Sequence, residues 1–510
     1  MKFQAIKGVR DILPPESALW NRVEQAAREV FHAYGYGEIR LPIFEPTELF
    51  ARSVGLDTDI VSKEMYSFED KPVDLPEPMV TTNLDAYLQL LEDRMRRGDI
   101  PLTEPNRSAL ELVRQTSAKH SAITGEIRER AYQTKEEIVE KLLDAERLLL
   151  GILLTLSRLQ LGEIISLRPE ATASVVRAYI EHGMQTRPGN VKLYYVGPMF
   201  RRERPQKGRY RQFYQIGAEL LGPSDHPALD AEVIEMLLAF FAHVNLPGAK
   251  LYINSIGDKN CRPAYVERLR GELQKVRDKL GPDSQRRVET NPLRVLDSKL
   301  PGEQPIIDKL PRIADHLCVA CREHYEELKR QLALRSVAYE ENWRLVRGLD
   351  YYMRTTFEIT APGLGSQNAV CGGGRYDGLV GLLGGPAATK GIGFAIGTDR
   401  LILSLQEPGA AEGCGLEVFL AWFGAATYPA AVALARKLRE RGLSVELPAQ
   451  DMKFGKSLSL ADRLGARFAV IVGEDELTAE QFTVKRLADG EQKKLAEADL
   501  LEYMTKSRKG

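Results

Sequence analysis

Cysteine is scarce in this sequence, and its scarcity excludes one class of protein. Five cysteines are spread over 510 residues without the regular spacing of a disulfide framework. A small secreted domain held together by disulfides is therefore excluded. The sequence predicts a protein of a reducing compartment.

Long apolar runs are also missing. The most apolar stretch, 148–156, follows Glu146 and Arg147 and precedes Arg158, so it is much too short to span a bilayer. The first eight residues carry neither an apolar signal core nor an Arg-rich and Ser-rich transit helix. We expect a cytoplasmic protein that does not enter a membrane.

A strong charge of either sign is absent as well. Lys and Arg total 70 and Asp and Glu total 71, which gives a formal net charge of -1. Such a chain lacks the global positive field that binds nucleic acid non-specifically, so any such contact must come from local patches. The 44% of hydrophobic and 28% of charged residues are typical of globular proteins. The length suggests about three or four domains.

Hydrophobic periodicity organises the first part of the chain. Apolar residues recur at helical spacing from Leu19 to Tyr34, and the segment Glu38–Glu45 then alternates like a strand. Pro42 cannot donate a ladder hydrogen bond, so this strand is expected at an edge or an interface. The helix and the strand together could form a dimer element.

Two interruptions and one further domain follow. Charged helical runs between 72 and 163 predict a helical insertion that contains no chemical motif. A second insertion, with its own strand, helices and Pro/Gly joints, is expected at 251–338. From 416 to 506, strands and helices alternate, which favours a small parallel or mixed α/β domain.

The stretch from Gly197 to Gln215 concentrates positive charge between two apolar strands. Arginine guanidinium groups match phosphate oxygens bidentately, so this pattern favours a polyanionic ligand. Glu203 could accept a hydrogen bond from an exocyclic amine, and Phe213 offers a face on which a purine could stack. ATP fits all three groups. On charge alone, however, a solvated basic hairpin explains the stretch better.

Three further segments carry candidate chemistry. Segment 347–358 could be an ordinary strand with aromatic cross-strand pairs. Segment 371–379 has three consecutive glycines, which form a tight bend or let the backbone approach a ligand or another strand, but it lacks the ending of a Walker phosphate loop. Segment 391–401 ends a strand of small residues with Arg400 at the opening of a helix, where a phosphate or base contact could form.

In this order, the four segments resemble the catalytic motifs of class II aminoacyl-tRNA synthetases, and of the histidyl-tRNA synthetase family in particular. Arg-Gly-Leu-Asp-Tyr-Tyr at 347–352 and Gly-Gly-Gly-Arg-Tyr-Asp-Gly-Leu at 372–379 distinguish that family within its class. Segments 7–11, 167–172 and 291–297 also match it. The resemblance covers nearly the whole chain except the first insertion.

The resemblance implies an α+β fold, in which the antiparallel sheet of class II synthetases is flanked by helices. The implied domains are a catalytic domain in three parts at 1–71, 164–250 and 339–408, a helical insertion at 72–163, an insertion domain at 251–338, and an α/β anticodon-binding domain at 416–506. A homodimer formed through the segment from Trp20 to Glu45 is implied as well.

The resemblance also implies a reaction and its binding residues. ATP, with Mg²⁺ at the outgoing pyrophosphate, would activate L-histidine to histidyl-adenylate, and the histidyl group would pass to tRNA(His). Arg201 and Arg347 would be catalytic, because they would stabilise the charge that grows on the α-phosphate. ATP would be bound by Arg201, Glu203, Arg209, Phe213 and Arg400. Histidine would be bound by Glu170, Ala171, Thr172, Arg201, Gln215, Glu219, Arg347, Tyr351 and Tyr352.

In the C-terminal domain, basic residues could contact tRNA phosphates, although a solvated surface explains them equally well. These residues are Lys453, Lys456, Arg463, Lys485 and Arg486.

Cys318, Cys321 and His324 suggest a metal site only superficially. A closed zinc site needs four ligands, and no second pair is nearby in the sequence. We therefore expect buried thiols or part of a helix turn here, and no metal site is predicted.

One alternative comes from another class of function. A synthetase paralogue without aminoacylation activity could serve as a regulatory subunit of histidine biosynthesis. Such paralogues typically lose the C-terminal domain and the Arg-Gly-Leu-Asp-Tyr-Tyr segment, whereas both are present here. Histidine-dependent exchange of pyrophosphate into ATP would discriminate the two functions.

Overall fold

The computed structural model describes residues 3–55, 58–70, 84–97, 100, 104–129, 134–157, 159, 162–362, 364, 368–406 and 415–507. The chain forms two units. The first comprises Met1–Arg10 and Glu24–Leu405, and the second comprises Asp11–Val23 and Gln406–Gly510.

The α-helices of the described residues are α1 (Glu16–Ala33), α2 (Thr47–Val54), α3 (Leu84–Arg96), α4 (Glu104–Arg128), α5 (Lys135–Leu156), α6 (Thr172–Glu181), α7 (Pro227–His243), α8 (Arg262–Gln274), α9 (Pro282–Thr290), α10 (Gln304–Ile307), α11 (Val319–Leu334), α12 (Leu379–Leu382), α13 (Thr398–Leu405), α14 (Tyr428–Glu440), α15 (Phe454–Arg463), α16 (Glu474–Thr478) and α17 (Glu497–Ser507).

The strands are β1 (Gly37–Glu38), β2 (Phe44–Pro46), β3 (Tyr66–Asp70), β4 (Glu163–Leu167), β5 (Val191–Phe200), β6 (Gln212–Gly222), β7 (Lys250–Ser255), β8 (Glu340–Glu341), β9 (Met353–Thr360), β10 (Ala369–Arg375), β11 (Lys390–Gly397), β12 (Val418–Trp422), β13 (Val445–Glu446), β14 (Phe468–Val472), β15 (Gln481–Arg486) and β16 (Gln492–Ala496). None of the helices in the described part of the chain has both the length and the apolar run that a membrane span requires.

The first unit is built on a sheet with the strand order β1-β5-β6-β11-β10-β9-β7-β8 among the described residues. The six inner strands pair antiparallel, and only the two short outer strands pair parallel to their neighbours. Phe31 of α1 packs on Tyr194 of β5, Phe240 of α7 and Phe394 of β11, with ring centroids 5.6–5.9 Å apart. The predicted α+β fold, an antiparallel sheet flanked by helices, is confirmed.

A second sheet of the first unit has the order β2-β4-β3, and it corrects one prediction. A single strand over Glu38–Glu45 is wrong, because β1 ends at Glu38 and belongs to the large sheet, whereas β2 begins at Phe44. The reason lies in the segment between them, where Pro42 has no N–H to offer a ladder. The Arg168 guanidinium instead donates to the carbonyl oxygens of Leu41 and Pro42, at 2.9 and 3.0 Å.

The predicted helical runs of the first insertion are confirmed as α3, α4 and α5, while residues 71–83 lie outside the described part of the chain. Leu91 of α3, Val113 of α4 and Ile152 of α5 are fully or almost fully buried in a hydrophobic cluster of these helices. Apolar burial of this kind stabilises a small helical bundle by itself.

The first residues of the segment predicted as the second insertion belong to the large sheet. β7 lies between β9 and β8 in the large sheet, so the sheet is interrupted after Ser255 rather than at Leu251. The helices α8 to α11 follow, and β8 returns the chain to the sheet.

The second unit has a sheet with the order β13-β12-β14-β15-β16. β12 pairs parallel to β13 and β14, whereas β15 pairs antiparallel to β14 and β16. This is the mixed α/β arrangement that the alternation of strands and helices predicts. β15 and β16 are additions that this alternation did not indicate, because they form a hairpin without an intervening helix.

Candidate active site

A cavity of about 270 Å³ opens over the middle of the large sheet, and segments far apart in sequence line it. The lining residues with chemically useful side chains are Glu170, Thr172, Tyr195, Arg201, Glu203, Arg209, Tyr210, Phe213, Tyr214, Gln215, Arg347, Tyr351, Tyr352, Glu358, Cys371, Asp399 and Arg400. The four sequence segments that carry candidate chemistry therefore meet at one place.

The basic loop that joins β5 to β6 forms one wall. Arg201 donates from Nε to the carbonyl of Pro169 at 2.9 Å, and its guanidinium lies 5.1 Å from the centre of the Phe213 ring. Glu203 forms an ion pair with Arg209, at 3.1 Å between Oε2 and Nη1. The loop is braced by Gly8, whose carbonyl accepts from the backbone N–H of Arg211 at 2.7 Å. Gly8 has φ +91°, which favours glycine.

Arg347 lies against the opposite wall on the triple-glycine strand β10. A Cβ at Gly372 would overlap the Arg347 guanidinium, so glycine is what allows this arginine to lie on the strand. Nη1 of Arg347 forms an ion pair with Oε2 of Glu358 at 3.3 Å. Residues 347–352 precede β9 as a turn and not as a strand, and therefore Arg347, Tyr351 and Tyr352 all reach the same cavity.

Two buried carboxyl groups lie at the closed end. Glu170 is 4% exposed and accepts from the backbone N–H groups of Thr172 and Ala173, at 2.7 and 3.0 Å, so it caps the first turn of α6. Glu219 accepts from the hydroxyls of Thr172 and Tyr376, at 2.6 and 2.5 Å. Burial raises the pKa of Glu219 to about 8. Burial also raises the pKa of Glu170, although its two backbone hydrogen bonds oppose that effect.

Aromatic side chains enclose this end. The rings of Tyr351 and Tyr352 are 4.7 Å apart, and Tyr376 meets Tyr351 edge-on at 5.8 Å. The Tyr351 hydroxyl is 3.5 Å from Oε2 of Glu170. A small polar ligand here would be shielded from water, which strengthens its electrostatic interactions.

Four lining residues have a buried polar atom that forms no hydrogen bond within the described residues. These atoms are Oη of Tyr195, Oε2 of Glu203, which is ion-paired with Arg209, Oε1 of Gln215 and Nε of Arg347. Most buried polar atoms in folded proteins are paired, so atoms left without a partner in a cavity indicate a ligand that completes them.

Arg400 stands at the other end of the cavity, in the first turn of α13. Its Nε and Nη1 donate to the carbonyls of Gly208 and Ala369, at 3.2 and 3.0 Å. Burial lowers its pKa, and the nearby Arg209 lowers it further. These two hydrogen bonds to carbonyl oxygens thus hold the Arg400 guanidinium beside the basic loop.

Most of the residues predicted for the site line this cavity, and two do not. Ala171 is fully buried, and Glu219 is 1% exposed and lies behind Thr172. Sequence reasoning missed six lining residues, namely Tyr195, Tyr210, Tyr214, Glu358, Cys371 and Asp399. Asp399 accepts from the backbone N–H of Tyr214 at 2.9 Å and pairs with Arg10 at 3.3 Å, so it fastens β6 to the N-terminal segment. Its place beside Arg400 is the one sequence signal that could have found it.

The third motif, residues 371–379, has a mainly structural role. Arg375 and Asp230 are 1% and 0% exposed, and Nε of Arg375 donates to Asp230 Oδ1 at 3.1 Å. Nη1 of Arg375 also donates to Asp377, and the Thr355 hydroxyl donates to Asp230. This network joins β9 and β10 to α7 behind the cavity.

The arrangement suits a ligand with phosphate and amino groups. Arginine side chains offer bidentate donors to phosphate oxygens, and the buried carboxyl groups can accept from an ammonium or imidazolium group. The guanidinium groups of Arg201 and Arg347 line the same space, where they could stabilise negative charge that develops on a reacting phosphate.

Comparison with known proteins gives concordant results along the chain. The family model described as "Histidyl-tRNA synthetase" matches residues 137–401, and the model described as "Anticodon binding domain" matches residues 417–507. A histidine–tRNA ligase of Koribacter versatilis is 46% identical over 506 residues, which is 98% of this chain and 96% of the relative. One of Solibacter usitatus is 44% identical, with 98% of each chain covered. The crystal structure of apo S. aureus histidyl-tRNA synthetase is similar with a TM-score of 0.66 and 31% identity, covering 99% of this chain and 100% of the other.

Proposed function

Given that this chain belongs to the histidyl-tRNA synthetase family and ligates histidine to tRNA in an ATP-dependent reaction, we propose that the cavity over the large sheet is where histidyl-adenylate forms. The observation that carries this proposal is that two unpartnered buried atoms, Oε1 of Gln215 and Nε of Arg347, lie in one cavity with the buried carboxyl group of Glu170. The full-length relatives favour this ligase activity over a regulatory paralogue.

Histidine would bind at the closed end. Its amino group would lie near Glu170 and Thr172, and its imidazole would pair with Gln215 and the tyrosines 351 and 352, with Glu219 behind them. A neutral imidazole has one donor and one acceptor nitrogen, which an amide, a phenol and a carboxyl group can satisfy. Amino acids without such groups would leave buried polar atoms unpaired, and this would reject them strongly. Ala171 would act only through the backbone at the start of α6.

ATP would bind on the open side. Glu203 would accept from the adenine amine, Phe213 would stack on the adenine ring, and Arg209 and Arg400 would contact the phosphates or the base. Because the Arg201 guanidinium already covers the Phe213 ring, adenine would take the other face of the ring or move this arginine towards the α-phosphate.

The first chemical step needs no general base, because the carboxylate of histidine is ionised at neutral pH and attacks the α-phosphate itself. Arg201 and Arg347 would stabilise the charge that grows on that phosphate. Glu358 would keep Arg347 in place through their ion pair.

Mg²⁺ fits the carboxylate of Glu358, which lines the cavity beside Arg347. This ion is usually bound by one or two carboxylates together with substrate phosphates. When bound, it would neutralise charge on the outgoing pyrophosphate.

The second unit would read the anticodon of tRNA(His). Lys453, Lys456 and Arg463 are exposed, and the last two lie seven residues apart on α15, so they share a helix face that could contact phosphates. Arg486 is a weaker candidate, since its Nε donates to Asp489 at 3.0 Å. Because tRNA charging serves translation, the proposed location is the cytoplasm.

A homodimer would cover an apolar face of the second sheet. The register places Phe44 and Pro46 of β2 on the same face as Phe68 of β3, and all three are exposed. Substituting Phe44 by Glu is expected to shift the sedimentation of the protein towards the monomer. Leu334→Glu, at an exposed apolar residue of α11, is the control that keeps the dimer. A wild-type protein that sediments as a monomer contradicts the proposal.

The proposed active site is tested by Arg347→Ala. Histidine-dependent exchange of pyrophosphate into ATP should fall by on the order of 10²–10³, because a donor to the developing charge is lost. Histidine affinity should change much less. Arg335→Ala, outside the cavity and paired with Glu235, is the matched control that retains exchange. Normal exchange in the Arg347 variant would remove the catalytic assignment.

A further inference from the structure

A cluster of three cysteines and one aspartate lies outside the cavity. Asp258 and Cys261 stand in the loop between β7 and α8, and Cys318 and Cys321 stand at the beginning of α11. The two pairs are almost sixty residues apart in sequence. We expected no second pair near Cys318 and Cys321, and the folded chain shows that this expectation is wrong, because it brings the two pairs together. One carboxylate oxygen of Asp258 and the three Sγ atoms all lie within 4.8 Å of one another.

The spacing of these atoms is close to that of a tetrahedral metal site. Bonds of about 2.3 Å to sulfur and 2.0–2.2 Å to oxygen place neighbouring ligand atoms roughly 3.5–3.8 Å apart. Sγ of Cys261 is 3.5 Å and Sγ of Cys318 is 3.9 Å from Oδ1 of Asp258. Since the four atoms lie within 4.8 Å of one another, the most distant would have to approach by up to about 1 Å. Two ligand pairs, each with two intervening residues, are typical of structural zinc sites.

The backbone around the first pair is shaped for a close approach of sulfur. The N–H of Asp258 lies 3.4 Å from Sγ of Cys261 and points at it. Gly257 has φ +65°, and a Cβ there would come within 2.7 Å of the same sulfur. Glycine is therefore required at this position for the loop to fold over the thiol.

Positive charge lies close to the cluster. Cys261 and Cys318 are the N-cap residues of α8 and α11, so the positive ends of both helix dipoles are next to it. Nη2 of Arg354 is 3.9 Å from Oδ2 of Asp258. Three thiolates and one carboxylate around a divalent ion would leave a net charge of about -2, which this arginine and the helix termini offset.

His324 does not belong to the cluster. Its Nε2 is 3.1 Å from the carbonyl oxygen of Asp225. The fourth ligand is therefore Asp258.

We propose that Asp258, Cys261, Cys318 and Cys321 bind one divalent metal ion of zinc type, which ties the entry of α8 to the entry of α11. Three soft sulfur ligands in tetrahedral geometry select zinc over magnesium or calcium. The first residue of α8, Arg262, donates to the carbonyl of Tyr352 at 2.5 Å, so the ion would brace the backbone next to the cavity. The assignment of this ion is independent of the chemistry proposed for the cavity.

The test is metal analysis of the full chain purified without chelators. We expect about one zinc ion per chain, falling below about a tenth in the double variant Cys318→Ser/Cys321→Ser. Cys371→Ser is the matched control, since it also replaces a buried thiol but lies in β10, and it should keep the ion. Asp258→Cys should retain one ion as well. Full metal content in the double variant would overturn the proposal.

A second measurement covers the case in which the double variant does not fold. Wild-type protein stripped of metal and kept reduced is titrated with Co²⁺. We expect the visible absorption of tetrahedral cobalt and a sulfur-to-metal charge-transfer band, both saturating at about one ion per chain. Absence of these bands, or oxidation of Cys318 and Cys321 to a disulfide in the purified protein, would refute the site.

Discussion

Histidine binding should release a proton from Glu219. In the free protein, burial raises the pKa of this carboxyl group to about 8, so at pH 7 about nine in ten molecules carry a proton there. The change from the ordinary value of 4.5 disfavours the ionised form by about 5 kcal/mol. A cationic ammonium group next to Glu170 and Thr172 would favour ionisation instead, and the proton would leave.

The measurement is titration calorimetry of histidine at pH 7 in buffers of different ionisation enthalpy. The slope of the observed enthalpy against the buffer enthalpy gives the protons exchanged. The wild type should release about 0.9 proton more than the Glu219→Gln variant, because protons exchanged by histidine itself are common to both proteins.

A further variant tests the direction of the effect. Since the hydroxyl of Tyr376 lowers the pKa of Glu219 by donating to it, Tyr376→Phe should raise that pKa. At pH 8, where about half of the wild-type carboxyl groups are protonated, this variant should release more protons than the wild type. Equal slopes for the wild type and Glu219→Gln would refute the reasoning.

Three other predictions concern the scaffold of the site. Gly372→Ala should displace Arg347 and lower pyrophosphate exchange at least tenfold. Gly378→Ala is the control that should keep the exchange rate, because a Cβ there meets nothing within 4 Å. Equal exchange rates in the two variants would contradict the packing argument. Asp230→Ala should destabilise the protein by about 3–5 kcal/mol in denaturant unfolding, because buried Arg375 keeps only Asp377 of its two carboxylate partners and Thr355 loses its acceptor. A loss below about 1 kcal/mol would show that the pair is dispensable. Replacing residues 71–162 by Asn-Gly should leave exchange within about threefold of the wild type, and its complete loss would place the insertion in the active site.

The local sequence pattern predicted the helices and strands that depend on residues close together in the sequence. The helices α1, α3, α4 and α5 follow from apolar residues at helical spacing, and the alternation in the second unit follows in the same way. The strand β7 was assigned to the second insertion instead of the large sheet. Its partner, β9, begins about a hundred residues later, and no local pattern specifies such a pairing.

The candidate site was predictable through the order of its motifs rather than through charge. Ordered motifs brought Gln215, Arg347 and Arg400 to one cavity, although each segment alone fits an ordinary strand or a solvated hairpin. The sequence did not indicate which of these residues line the cavity directly and which lie behind another side chain. The hydroxyl of Thr172 lies between Glu219 and the cavity, and only the packing of α6 against β6 determines that order.

The proposed metal site shows the same limit more sharply. Two of its proposed ligands, Cys318 and Cys321, are visible as a motif, but the second pair, Asp258 and Cys261, lies almost sixty residues earlier, where sequence spacing does not connect it to them. The second pair meets them because α11 packs against β9, and β7, the strand that precedes the second pair, is the neighbour of β9 in the sheet. The backbone N–H of Arg354 in β9 donates to the carbonyl of Gly257 at 2.7 Å, which brings the loop after β7 beside the start of β9.

The strand register explains why so large an insertion can stand beside the pocket. Asp70 of β3 and Glu163 of β4 are paired Cα partners in antiparallel strands, so the insertion occupies the place of a hairpin turn. A two-residue turn suits that geometry, and the helices have a hydrophobic cluster of their own. From the described residues, an influence on histidine binding can pass along β4 to Arg168 and Glu170, or along β3 to Tyr66, whose ring lies 5.6 Å from the Arg202 guanidinium. Because Arg168 is held by the carbonyls of Leu41 and Pro42, the first of these paths is anchored before it reaches the cavity.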